Sequence, residues 1–166
     1  MLAFREIEPF LEAADAAGIR LRMTKGGRLA LTVYDDPGQR PFWDIDLFIH
    51  PDDWPAASSL LENNGFRMVS GFAPDAGPAP GRPWAFSPYY KKDRIHLEFH
   101  GQPLGLAVDL RDREAFWNGS RTIPVGRTRA GILDDEFELC HLCLHAAQHS
   151  YSRLIWLLDI SVLLER

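Results

Sequence analysis

The sequence predicts an α+β domain: a mixed β-sheet carrying helices, followed by a helical C-terminal segment. Two runs of alternating polarity, DIDLFI at 44–49 and RIHLEFH at 94–100, mark strands of the sheet. Apolar residues at helical spacing over 4–17, 134–149 and 153–164 mark helices at both ends of the chain. With 166 residues, 46% of them hydrophobic and 11% aromatic, the chain suits one globular unit with a substantial core and is too apolar for disorder.

In the first helix Phe4, Ile7, Phe10, Leu11 and Ala14 share a face, and Gly18 is placed to end it in a left-handed conformation. Residues 19–23 alternate apolar and basic side chains and predict a short strand. Lys25, Gly26 and Gly27 break that strand, and a short helix is expected over 28–34. Asp35, Asp36, Pro37 and Gly38 have turn chemistry. After the strand at 44–49, Pro51, Asp52 and Asp53 open a helix whose first-turn acids suit the macrodipole. It runs to about Asn64 and stops at Gly65. A strand is expected over 66–72, and a loop over 73–83, where four prolines and two glycines fall. Residues 84–90 and 94–100 read as a hairpin turning at Lys91, Lys92 and Asp93. Between 101 and 131 the pattern is weak except for a helical piece at 114–117. The natural division is 1–133 as an α/β core, with 134–166 as a helical segment packed on it in a single unit.

Charge narrows the function. Lys plus Arg number 18 against 23 Asp plus Glu, a net charge of −5, which argues against general nucleic-acid binding. Two cysteines cannot build a disulfide framework and suit a reducing compartment. Arg5, Glu6 and Glu8 interrupt the opening residues, unlike a signal peptide. The apolar stretch at 154–164 contains Asp159 and falls short of the roughly 20 residues needed to cross a bilayer. A soluble cytoplasmic protein is expected.

The informative acids are Asp44 and Asp46. Two residues apart in a strand, they point to the same side, with Cα atoms about 6.5–7 Å apart. Carboxylates so placed converge on divalent cations; without a counter-ion, repulsion and desolvation penalise them. The alternative is an edge strand with a solvated face. In the later strand His96, Glu98 and His100 share one side, so pairing beside Asp44 and Asp46 would make Glu98 a third carboxylate, a set suited to Mg²⁺. Otherwise Glu98 is simply exposed. The Lys25-Gly26-Gly27 turn before a helix would let a phosphate approach backbone N–H groups, with Lys25, Arg28 or Arg40 adding charge; it also reads as a plain turn.

Together, KGGRLALTVYDDPGQRPFWDIDLFI, the helix ending LLENNGF, the HLEFH strand and HLCLHAAQHSYSRLIWLLDI resemble the uncharacterised bacterial nucleotidyltransferases of the polymerase-beta-like superfamily, over roughly residues 21–164. The resemblance implies a nucleotidyltransferase-like core and transfer of a nucleoside monophosphate from a nucleoside triphosphate to an acceptor, small molecule or protein, with release of pyrophosphate. It makes Asp44 and Asp46 the catalytic metal-binding pair for Mg²⁺ or Mn²⁺ and Glu98 the third acid, which completes a metal site in the favoured reading or accepts the acceptor hydroxyl's proton in the other. Gly26 and Gly27 then line the triphosphate, with Lys25 and Arg40 as phosphate contacts. His145, His149 and Arg153 become candidate nucleotide or acceptor contacts. Two departures stand out: Glu at the third acidic position, where many relatives carry Asp, and Gly rather than Ser after the first glycine. Relatives often continue beyond a point equivalent to Arg166, so an acceptor-binding part is expected to be reduced, absent or supplied by another subunit, and a homo-oligomer or partner subunit is a candidate arrangement. A non-catalytic nucleotide-binding or regulatory module is the alternative function.

Cys140, His141, Cys143, His145 and His149 crowd one predicted helix, with the three histidines on one face. A zinc-binding protein is the third reading. Against it, Leu139, Leu142, Cys143 and Ala146 form an apolar stripe that reads as packing, and a Cys-x-x-Cys inside a helix lacks the N-terminal placement of redox pairs. Asp159 is expected to be a structural ion-pair partner and Trp156 a core residue.

Overall fold

Five strands form one mixed sheet in the order β1-β2-β5-β4-β3. In the computed structural model, which describes residues 2–70, 88–101, 114–118 and 121–166, the strands are β1 (Leu21–Thr24), β2 (Ile45–Ile49), β3 (Arg67–Ser70), β4 (Tyr89–Lys92) and β5 (Ile95–His100). β2 runs antiparallel to β1 and parallel to β5, and β5, β4 and β3 continue antiparallel. Every residue of β2 is buried, as a strand covered on both faces must be.

Alternation along β2 divides the molecule. Ile45, Leu47 and Ile49 face the main core, where they meet Phe4, Ile7, Phe10 and Leu11 of α1 (Leu2–Ala16) and Trp54, Ala57 and Leu61 of α3 (Trp54–Asn63). Phe10 and Trp54 both meet the ring of Phe99 on β5 edge-on, at 6.1 and 5.5 Å. Phe48 faces the other side and is covered by Phe116 and Trp117 of α4 (Glu114–Asn118) together with Leu133. Asp46 shares that side, so the acid sits where the second layer leaves off.

The expected elements are present among the described residues, with shifted edges. Gly18 ends α1 at φ 68° and Gly65 follows α3 at φ 83°. The β4–β5 turn is Asp93-Arg94, so Lys91 and Lys92 belong to the strand rather than the turn. Pro51–Asp53 forms a single 3-10 turn before α3. The loop at 73–83 and the flanking expectations at 71–72 and 84–87 lie outside the described residues.

Two further expectations of secondary structure need correction. The helix expected from Arg28 begins at Lys25: α2 is Lys25–Thr32, with both glycines in its first turn. Its start is capped from a distant element, because Glu138 accepts from the Lys25 backbone N–H at 2.7 Å and from the Thr24 hydroxyl at 2.9 Å. The weak stretch after residue 118 holds a hairpin, β6 (Thr122–Val125) and β7 (Thr128–Gly131), turning at Gly126 with φ 61°. Pro124 disguised it; the proline is exposed on a two-stranded ribbon, where a missing N–H is tolerated.

The chain ends in α5 (Asp135–Gln148) and α6 (Leu154–Leu164), which pack together and against α2 through Leu29, Leu142 and Leu163. The buried stripe of α5 is Glu138, His141, Leu142 and Ala146, whereas Cys143 is exposed and Leu139 half-buried. The stripe is rotated from the apolar one expected because Glu138 is drawn inward by Arg28 and the α2 N-terminus.

Candidate active site

Strand register brings the acids together. Asp46 on β2 lies directly opposite Glu98 on β5, and Thr24 at the end of β1 lies opposite Asp46 on its other side. Adjacent strands stand about 4.8 Å apart, close enough for both carboxylates to meet one ion. Asp44, just before β2, opens onto the same side. All three line a cleft of about 640 Å³ between the sheet and the α5–α6 pair.

His100 joins them. Two residues after Glu98, it projects from the same face of β5, with Nε2 at 2.8 Å from Asp46 Oδ1 and 3.7 Å from Glu98 Oε2. Among the described residues, the group of potential metal-ligating atoms lying within 4.8 Å of one another is that of Asp46, Glu98 and His100. Asp44 is near enough to feel their charge but is not part of that group. The sequence reading placed His100 on the same face as Glu98 and gave it no role; its position two residues from the third acid was the available signal.

Lys25 also points inward. It takes a positive φ of 50°, unusual for a residue with a side chain, and its ammonium donates to Asp46 Oδ1 at 2.7 Å, 3.4 Å from His100 Nε2. Thus a cation already sits against the carboxylate cluster. Burial works against the charge of Lys25, but Asp46, Glu98 and Asp44 outweigh it and hold its pKa above the ordinary lysine value. Burial likewise opposes ionisation of Asp46, yet Lys25 and His100 keep its carboxyl well below the usual range. For Asp44 the opposing pull of Lys25 does not prevail. Burial, followed by the charges of Asp46 and Glu98, pushes it up to about 6.

The two glycines have separate surroundings. A Cβ on Gly26 would stand 2.9 Å from Phe42 Cβ, so only glycine admits the chain segment that leads into β2. Gly26 lines the cleft. Gly27 turns the other way, where its Cβ would meet Ile45 and Met23 at 3.4 and 3.5 Å. Arg40 also borders the cleft, but its guanidinium is committed to Asp159, with Nε and Nη2 each 2.7 Å from a carboxylate oxygen. Asp159 is therefore the structural partner expected, holding α6 to the segment before β2 and accepting from the Tyr34 hydroxyl.

The opposite wall comes from α5 and α6. The rings of His145 and His149 meet at a tilt of 59° with centroids 4.7 Å apart, and both meet Trp156, at 4.8 and 5.3 Å. The Arg153 guanidinium lies 5.6 Å over the Trp156 ring. All four line the cleft, so Trp156 is half-buried at a cavity wall rather than in the core. Burial, then the charge of Lys25, lowers His145 to about 4, making it a neutral imidazole at neutral pH. Ser150 and Tyr151, in the turn joining the helices, both have φ 53°. The cysteines take no part: Cys140 and Cys143 are exposed.

The same architecture occurs in solved nucleotidyltransferases. The antibiotic-resistance factor ANT(2'')-Ia matches in its crystal structure with adenylyl-2''-tobramycin, at a TM-score of 0.68 and 15% identity, covering 98% of this chain and 88% of that one. Its solution structure matches at a TM-score of 0.64 and 14% identity, covering 96% and 81%. An antigenic nucleotidyltransferase-like protein from Paracoccidioides brasiliensis matches at a TM-score of 0.58 and 17% identity, covering 97% and 74%. At such identities the likeness speaks for the fold. No curated protein matches the sequence. Among the described residues no helix is long and apolar enough to cross a membrane. The family model described as uncharacterised nucleotidyltransferase matches residues 1–166, and the chain, with its paired acids on adjacent parallel strands, belongs to that family.

Proposed function

We propose that this chain transfers a nucleoside monophosphate from a nucleoside triphosphate to a hydroxyl-bearing acceptor, in a reaction that needs a divalent cation such as Mg²⁺. The observation that carries the reading is the pairing of Asp46 with Glu98 across β2 and β5, at the floor of a cleft that also holds Asp44 and Lys25. The donor set fits a dication: two carboxylates and an imidazole lie within 4.8 Å of one another, and a lysine ammonium already compensates their charge. A bound dication would neutralise phosphate charge and polarise the phosphoryl group under attack.

In this reading Asp46 and Glu98 hold the ion. The acceptor oxygen forms a bond to the α-phosphorus, the bond to the bridging oxygen breaks, and pyrophosphate leaves. Asp44, which opens onto the same cleft outside that ligand group, takes the acceptor's proton. The resemblance assigns Asp44 to the metal, and substitution separates the two roles, because Asp44→Asn would spare ion affinity if it is the base. Lys25, on a flexible four-carbon stem, and Arg153, on the opposite wall, are the cations for the triphosphate. Gly26 borders its path at the start of α2. Arg40 shapes the rim through Asp159, and the faces of His145, His149 and Trp156 receive the base or the acceptor.

The test is pyrophosphate release from each of the four nucleoside triphosphates with Mg²⁺, across a broad acceptor mixture that includes protein. Release that disappears in Asp46→Asn supports the reading. Failure of the wild-type chain to bind any triphosphate calorimetrically would defeat it.

A further inference from the structure

The acid cluster contains a nitrogen donor. His100 Nε2 stands 2.8 Å from Asp46 Oδ1 and 3.7 Å from Glu98 Oε2. Neighbouring ligands around an octahedral ion with bonds of about 2.1 Å are themselves about 3 Å apart, so this spacing brackets what one ion needs. The imidazole is held for the task by ring contacts with Phe48 at 5.7 Å and His141 at 6.2 Å, and its side chain is 13% exposed. A second observation marks the position as a cation site. The Lys25 ammonium reaches both Asp46 and His100 from a backbone held at φ 50°, so a positive charge stands where these donors converge.

We propose that His100 is a direct ligand of the metal centre and makes it selective for a first-row transition dication, such as Mn²⁺ or Co²⁺, over Mg²⁺. This rests on the nucleotidyl-transfer reading for the presence of an ion, and deepens it by naming the ion's class. Mg²⁺ favours all-oxygen surroundings, whereas imidazole suits the transition ions. To ligate, the ring takes the Nδ1–H tautomer, so that the Nε2 lone pair meets the ion in place of the contact with Asp46. Lys25 is the placeholder that the incoming ion displaces from Asp46.

The competing account makes His100 a hydrogen-bond donor that orients Asp46 and never touches an ion. Titration of the chelator-treated full chain with Mn²⁺ or Mg²⁺ alone, without nucleotide, separates the two. All-oxygen sites also tend to favour Mn²⁺, so the diagnostic is the change on substitution. In His100→Gln, Mn²⁺ affinity should fall about tenfold or more while Mg²⁺ affinity changes less than about threefold. In Lys25→Met, both ions should bind more tightly. The wild-type chain with Mn²⁺ should show ¹⁴N hyperfine coupling from a coordinated imidazole in pulsed electron paramagnetic resonance, a readout that does not depend on a variant folding. Absence of that coupling, or equal losses for both ions in His100→Gln, overturns the proposal. If Mg²⁺ binding and Asp46-dependent pyrophosphate release persist in that case, the functional reading survives without it. If the wild-type chain binds neither ion nor triphosphate, both fall.

Discussion

The two walls of the cleft are built on different principles. The sheet wall is charged and set by strand register: Asp46 opposite Glu98, His100 two residues on, Lys25 leaning in from the start of α2. The helix wall is aromatic, made of His145, His149 and Trp156, and is set by how α5 and α6 dock. That docking runs through two buried ion pairs, Arg28 with Glu138 and Arg40 with Asp159. Buried charge therefore does two jobs. At the sheet wall it lines the cleft; beneath the helix wall it is closed and anchors one element to another. Breaking an open pair should cost chemistry, and breaking a closed one should cost stability.

Asp46→Asn gives the largest effect on chemistry. If the proposed transfer runs through Asp46, losing several kcal/mol of transition-state stabilisation should lower triphosphate-dependent transfer by about a thousandfold, with the circular dichroism spectrum retained. An enzyme still within about tenfold of wild type would place the chemistry elsewhere. Arg40→Met leaves Asp159 buried and unpaired, and should cost about 3–5 kcal/mol in urea denaturation. The double variant Arg40→Met/Asp159→Leu should recover part of that loss, which a catalytic role for Arg40 would not predict.

Trp156→Ala sharpens the comparison from the helix side. A base or planar acceptor stacked there is worth about 1–3 kcal/mol, so KM should rise from several-fold to about a hundredfold while kcat changes little. An unchanged KM for both substrates would remove the helix wall from binding. The smallest effect is a pH dependence. His145 titrates at about 4 in the folded chain, below the ordinary histidine value, because burial disfavours its charged form. The unfolded chain takes up that proton first, so stability should fall as pH drops from about 6.5 toward 4. His145→Gln should flatten that decline by about 1 kcal/mol, allowing for the partial exposure of the ring. His141, also lowered by burial, keeps part of the slope. An identical pH profile in the variant would mean that His145 is not the group responsible.

The sheet wall was legible because a strand has one period. Two residues always return to the same face, so Asp44 with Asp46 and Glu98 with His100 could be paired off from the letters alone. The neighbouring placement of β2 and β5 came from the family resemblance, and the register that puts Asp46 against Glu98 came from the fold. The helix wall was less legible. On α5, apolarity suggested Cys143 and Leu139 for the interior, while the fold buried Glu138 and His141 instead. A charged residue looks solvent-facing until its partner is known, and the partner of Glu138 lies over a hundred residues away at Thr24, Lys25 and Arg28. The same long reach explains why α2 starts at Lys25, three residues earlier than local signals suggest.

By itself the sequence determined which side chains share a strand face, where glycine must end a helix, and the order of strand, glycine pair and acids that marks the family. These follow from local geometry, which repeats every two or every 3.6 residues whatever surrounds it. Tertiary structure alone decided that Gly26 faces the cleft and Gly27 the core, that Arg40 belongs to Asp159, and that Lys25 and His100 close on Asp46. Those outcomes depend on which distant charge is nearest once water is excluded, and no short-range pattern encodes that distance.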